Sequence, residues 1–97
     1  MNKPAVFWSE NAKLDLKEIY FELKSKYSKE TALKVREELF NNANSIVFAE
    51  QFQLDEYRID CHRIVVRNFK ILYQVKDDPV FIVRIFNTFQ NPLKSLK

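Results

Sequence analysis

Glycine is missing altogether from this chain of 97 residues. The loops that cradle nucleotide phosphates, in both P-loop and dinucleotide-binding folds, need a backbone without Cβ, so both are excluded. Cysteine is reduced to Cys61 and histidine to His62. No internal disulfide can form, and the usual four-ligand zinc site lacks its ligands. No cofactor or metal is expected. No apolar run approaches the ~18 residues needed to cross a bilayer, and the opening MNKPAVFW lacks the long apolar core of a signal peptide. A cytoplasmic protein with no membrane partner is expected.

What is present is the make-up of a globular domain, 46% hydrophobic and 30% charged. A chain this short should bury roughly 60–65% of its unfolded surface, enough for one core, so residues 1–97 are read as one domain. The net charge of +3 is unevenly spread. Residues 1–57 hold eight Lys/Arg against ten Asp/Glu, and residues 58–97 hold eight against three, giving −2 and +5. That asymmetry suits an acidic partner, nucleic acid or an acidic protein segment; the plainer reading is a solvated basic surface.

Lys3 to Trp8, short and apolar with Pro4 inside it, suits a first or edge strand. Ser9 has the character of an N-cap, and Glu10 favours the first turn that follows. Ala12, Leu16, Ile19, Tyr20, Leu23 and Tyr27 then recur at helical spacing. Ser28 opens a second helix, whose stripe runs through Ala32, Val35, Arg36, Leu39, Phe40, Ala43, Ile46 and Val47. The short link between them predicts an antiparallel helical hairpin with one apolar face to cover.

Phe48 to Tyr57 reads as a loop. Arg58 to Arg67 and Phe69 to Lys76 read as strands around an Arg67-Asn68 turn, with Asn68 the residue suited to positive φ. Asp77-Asp78-Pro79 predicts a turn before a last strand, Val80 to Asn87. The fold class is therefore α+β: an N-terminal strand, a helical hairpin, then a three-stranded antiparallel sheet. Alternation places Phe81, Val83 and Ile85 on the uncharged face, against Leu16, Ile19, Leu39 and Phe40. Phe69, Ile71, Tyr73 and Val75 oppose Lys70, Leu72, Gln74 and Lys76 in the same way. The other face, with Lys70, Arg84, Arg63 and Arg67, is expected to be open and basic.

Several runs carry a resemblance to a known family. Ser9-Glu10-Asn11-Ala12 followed by Asp15-Leu16-Lys17-Glu18-Ile19 opens the first helix. Phe69-Lys70-Ile71-Leu72-Tyr73-Gln74-Val75 forms the middle strand. Val83-Arg84-Ile85-Phe86 and then Gln90-Asn91-Pro92 close the sheet. Together they resemble the RelE/ParE superfamily of toxins from type II toxin–antitoxin (plasmid-stabilisation) modules, over nearly the whole chain. The resemblance implies a growth-inhibiting protein neutralised by a cognate antitoxin. It also implies one of two targets: DNA gyrase, poisoned by ParE-like members, or ribosome-bound messenger RNA, cut by RelE-like members. Arg67 matches an arginine that the RNA-cleaving members use. Phe89 stands where many carry a further arginine, Asn87 where others have histidine or aspartate, and the tyrosine-bearing terminal helix of the best cutters is missing. These departures favour the ParE-like side, with RNA cleavage or an inactive binding module as alternatives.

RNA cleavage requires a deprotonated 2′-hydroxyl, a stabilised pentavalent phosphate and a protonated leaving oxygen. Arg63, Arg67 and Arg84 are the candidates for the phosphate if they converge, and His62 or Lys70 for deprotonating the 2′-hydroxyl; Arg67, Arg84 and His62 are the candidate catalytic residues. Arg58, Arg63, Arg67, Lys70 and Arg84 make up the candidate target- or phosphate-binding set. The structural alternatives are arginines paired with Asp60, Asp77 or Asp78, a structural His62 and a core Tyr73. Cys61 and His62, adjacent in a strand, point to opposite faces and form no dyad. Phe21, Phe48, Phe52 and Phe89 are candidate antitoxin contacts.

Overall fold

The structure, a computed structural model, describes residues 4–48, 51–77 and 79–89. Lys3, Asp78 and the Gln90-Asn91-Pro92 exit lie outside these residues. Six elements follow the expected order: β1 (Val6–Trp8), α1 (Glu10–Lys26), α2 (Lys29–Ala43), β2 (His62–Val66), β3 (Phe69–Val75) and β4 (Val80–Asn87). Both helices start on serine caps. Ser9 Oγ accepts from the Ala12 N–H at 3.0 Å, and Ser28 Oγ accepts from the Thr31 N–H at 3.1 Å.

The sheet has four strands in the order β1-β4-β3-β2, one more than the three expected. β1 joins as an edge strand parallel to β4, with Val6 beside Val80 and Trp8 beside Ile82. Ser9 fixes that junction, since its N–H donates to the Ile82 carbonyl (3.0 Å) and its hydroxyl to the Val83 carbonyl (2.8 Å). One serine thus caps α1 and ties it to β4.

The helices cover one face of the sheet. Ala12, Ile19, Val35, Leu39 and Ala43 pack on Ile64, Phe69, Ile71, Tyr73, Val80, Ile82 and Ile85. The β3 assignment holds, but the β4 assignment needs correction. Ile71 pairs with Ile85 and Leu72 with Arg84, yet Tyr73 pairs with Ile82. Val83 is therefore an extra residue, a β-bulge, and a bulge reverses the alternation beyond it. Val80 and Ile82 face the helices with Ile85, whereas Phe81 and Val83 do not. Phe81 instead stacks on Phe7, with ring centroids 5.6 Å apart. Phe40 likewise stays outside the buried core: half exposed, it stacks on Trp8 of the edge strand β1.

The opposite face is not open. The segment before β2 lies across part of it, pairing Leu54 with His62 and placing the Asp55 N–H on the Cys61 carbonyl at 2.8 Å. Cys61, Leu72, Phe86 and Val83 form a second small core there.

Candidate functional site

The cationic residues of the sheet are positioned by the bulge, the hairpin tip and this covering segment. Each finds an acidic partner. Arg84 follows the bulged Val83 and reaches Asp15 on α1 through two hydrogen bonds, Nε to Oδ2 at 2.7 Å and Nη2 to Oδ1 at 3.0 Å. The same carboxylate accepts the Ile85 N–H at 3.0 Å. Hydrogen bonding to Asp15 raises the already high Arg84 pKa against the opposing pull of burial.

Lys70 points to the covered face and is buried. Its ammonium lies 2.7 Å from Asp55 Oδ1, between the rings of Tyr57 and Phe86. Asp55 Oδ2 takes the backbone N–H groups of Tyr57 (3.1 Å) and Arg58 (2.8 Å). Burial pushes the Asp55 carboxyl upward, but these three donors prevail and hold it below the ordinary carboxylate range.

Arg67 sits at the β2–β3 tip and makes a two-point pair with Glu38 of α2, Nε to Oε2 and Nη2 to Oε1, the latter at 3.1 Å. The hydrogen bond raises the Arg67 pKa and lowers that of Glu38. Arg67, not Asn68, carries the positive φ of the turn, 55°. Only the first of the two turn residues has positive φ, so the asparagine is at the position that does not require it.

Arg63 lies 3.5 Å from Glu56 and 3.4 Å from the Gln53 side chain, and Arg58 lies 3.2 Å from Asp60. The expected basic face therefore does not assemble. Arg63 and Lys70 share a cavity of about 450 Å³ on the covered face. Arg67 lines a larger groove of about 650 Å³ beside α1, with Glu18, Glu22 and Phe89. Arg84 turns toward α1 instead. The physical reason is that the bulge re-aims Arg84 while Asp55 neutralises and covers Lys70.

His62 stacks on Tyr73, and its Nδ1 lies 2.7 Å from the Phe52 carbonyl oxygen. A carbonyl only accepts, so Nδ1 carries the proton and the ring is held in one orientation. Cys61 is buried, and burial pushes its thiol upward, away from a reactive thiolate. Of the four candidate antitoxin contacts, Phe21, Phe48 and Phe89 are more than half exposed. Phe52 is turned inward, edge-on to Tyr73. Among the described residues, no cluster of His, Cys, Asp and Glu could hold a metal ion, and no helix is long and apolar enough to cross a membrane.

The acidic partners Asp15, Glu38 and Asp55 were not singled out from the sequence. For Asp15 a signal existed. It lies on the buried line of α1 between Ala12 and Ile19, and a carboxylate there requires a cation or several hydrogen bonds. Glu38 and Asp55 carried no such mark.

An α+β domain with a helical hairpin on one face of a β1-β4-β3-β2 sheet defines a class of small toxin folds. Comparison with known proteins specifies the family. The family model for the ParE toxin of the type II toxin–antitoxin system parDE matches residues 6–92, and the chain belongs to that family. A structure of the chromosomal ParDE toxin–antitoxin system from P. aeruginosa superposes with a TM-score of 0.77 at 18% identity, covering 87% of this chain and 95% of that one. The E. coli toxin RelE, a mutant in the free state, superposes with a TM-score of 0.61 at 21% identity, covering 97% and 93%. No curated protein sequence matches. The chain is thus a type II toxin of the RelE/ParE superfamily.

Proposed function

We propose that this toxin acts in the ParE-like manner, arresting growth by poisoning DNA gyrase without cutting RNA, and that a cognate antitoxin neutralises it in the cytoplasm. One observation carries the reading. The cations that would stabilise a pentavalent phosphate are each committed to a carboxylate: Arg84 to Asp15, Lys70 to Asp55 and Arg67 to Glu38. The lone histidine donates to a carbonyl and stacks on Tyr73 rather than facing them. Phosphoryl chemistry needs these groups converging on one centre, which this arrangement does not favour. The match of the ParE family model to residues 6–92 supports the same side.

The exposed rings Phe21, Phe48 and Phe89 are the proposed antitoxin contacts, with Phe52 contributing less because it faces Tyr73. The test is induction of the intact protein in growing bacteria, followed by messenger RNA integrity and gyrase supercoiling assays. RNA is expected to remain whole while supercoiling fails. Codon-phased cuts in translated RNA that vanish in Arg67→Ala would overturn the reading in favour of a ribosome-dependent endonuclease. Co-expression of the neighbouring small protein should restore growth and raise the melting temperature, because it binds the native state.

A further inference from the structure

The segment across the far face runs between two fixed ends. At its start, the Phe52 ring packs edge-on to Tyr73 and the Phe52 carbonyl accepts from His62 Nδ1. At its end, the buried Cys61 leads into β2. Between them the apolar side chains point outward: Leu54 is 53% exposed and Ile59 76%. Apolar burial is what joins a segment to the cooperative unit of a domain, and residues 53–60 contribute little of it. Their ion pairs, Arg58 with Asp60 and Glu56 with Arg63, place the carboxylates in water, where such pairs stabilise little. Two backbone bonds tie the segment to the chain that follows, the Asp55 N–H to the Cys61 carbonyl and the Arg63 N–H to the Gln53 carbonyl, both 2.8 Å.

The remaining attachment is Asp55. Its buried carboxylate meets the Lys70 ammonium at 2.7 Å and accepts the Tyr57 and Arg58 N–H groups of its own segment. One side chain thus shapes the segment and fastens it to β3. A buried pair of this kind responds asymmetrically. Removing one ion strands the other, whereas releasing both into water together restores to each the hydration that burial took away. Lifting residues 53–60 does the latter, and it leaves the core between the helices and the sheet in place, since none of these residues belongs to it.

We propose that residues 53–60 are a strap that opens as a unit while the rest of the domain stays folded, with the Asp55–Lys70 pair as its latch. Opening brings Lys70, Leu72 and Phe86 to the surface, a cation on an apolar floor. The proposal concerns the domain itself and rests on neither the gyrase nor the ribonuclease reading. Cys61 reports the motion. It lies on that floor with Leu72 and Phe86, and the charges acting on its thiol are those of Arg58, Asp60 and Asp55 in the strap. It is also the one cysteine of the chain, so a thiol reagent labels nothing else.

The experiment follows maleimide labelling of Cys61 in the intact protein across a urea series, beside equilibrium unfolding. Opening a short segment exposes a small part of the surface that unfolding exposes. The labelling rate should therefore be nearly flat at low urea and steepen only near the unfolding midpoint. Asp55→Asn keeps the shape and removes the charge opposite Lys70, so it should raise the low-urea rate about tenfold or more. Val35→Ala, in the core under the helices, should lower the unfolding midpoint yet change the low-urea rate less than about twofold. A parent rate that tracks global unfolding down to the absence of urea would overturn the strap. So would a low-urea rate that rises in Val35→Ala in proportion to the lost stability. An Asp55→Asn rate equal to the parent's would overturn the latch.

Discussion

Replacing Lys70 with methionine keeps the stem that fills the covered face and removes only the ammonium. The structure sets the size of the effect. Asp55 and Lys70 side chains are 0% and 7% exposed, and their charged atoms are 2.7 Å apart. Removing one partner of a buried pair costs about 3–5 kcal/mol, because the other charge is stranded. Asp55 retains the Tyr57 and Arg58 N–H groups, which places the penalty near the lower end, about 3 kcal/mol. For a domain of this size that is a fall in melting temperature of roughly 12–24 °C.

Urea unfolding at several pH values provides the second reading. In the parent, the folded Asp55 pKa lies below its ordinary 3.8. Its contribution is therefore present above that value and is lost as pH falls through the folded pKa. In Lys70→Met the ammonium no longer opposes burial, so the folded carboxyl accepts a proton at higher pH than in the parent. The stability gap should thus narrow as pH drops from 7 toward 3. A penalty under about 1 kcal/mol at neutral pH, or one unchanged on acidification, would refute a buried, stabilising pair.

The bulge makes a prediction about neighbouring residues of β4: Ile82→Ala should cost about 2–5 kcal/mol in urea unfolding, and Val83→Ala less than half as much. Equal losses, or the reverse order, would restore uninterrupted alternation. At the hairpin tip, Arg67→Asn exchanges a strained residue for a tolerant one and removes an exposed pair, so stability should stay level or rise by up to about 1 kcal/mol. A loss above about 2 kcal/mol would show that the Glu38 pair holds the fold together.

The two helices were legible because their signals are local. Ser9 and Ser28 cap within the next three residues, and the apolar stripes repeat within each turn. Strand existence was legible for the same reason, and the last strand ends where the alternating run ends, at Asn87. β3 kept its assigned face because its ladder with β2 is unbroken from His62 to Val66. β1 was read as a strand, but nothing in Val6–Trp8 states which neighbour it will pair with or in which direction.

The sequence by itself determined the α+β class, the order of elements, the caps and the concentration of positive charge after residue 57. Its motifs, read together, also pointed to the toxin superfamily that the family match shows. Only the tertiary structure decided which charges are available. Arg84 and Asp15, Arg67 and Glu38, and Lys70 and Asp55 are separated by 69, 29 and 15 positions. No spacing rule links them; they meet because the bulge at Val83, the left-handed Arg67 and the segment across the far face bring distant backbone together. A carboxylate's influence falls off over a few ångströms, whereas sequence patterns report neighbours along the chain. The elements could therefore be read from the residues one by one, and the fate of each arginine and lysine could not.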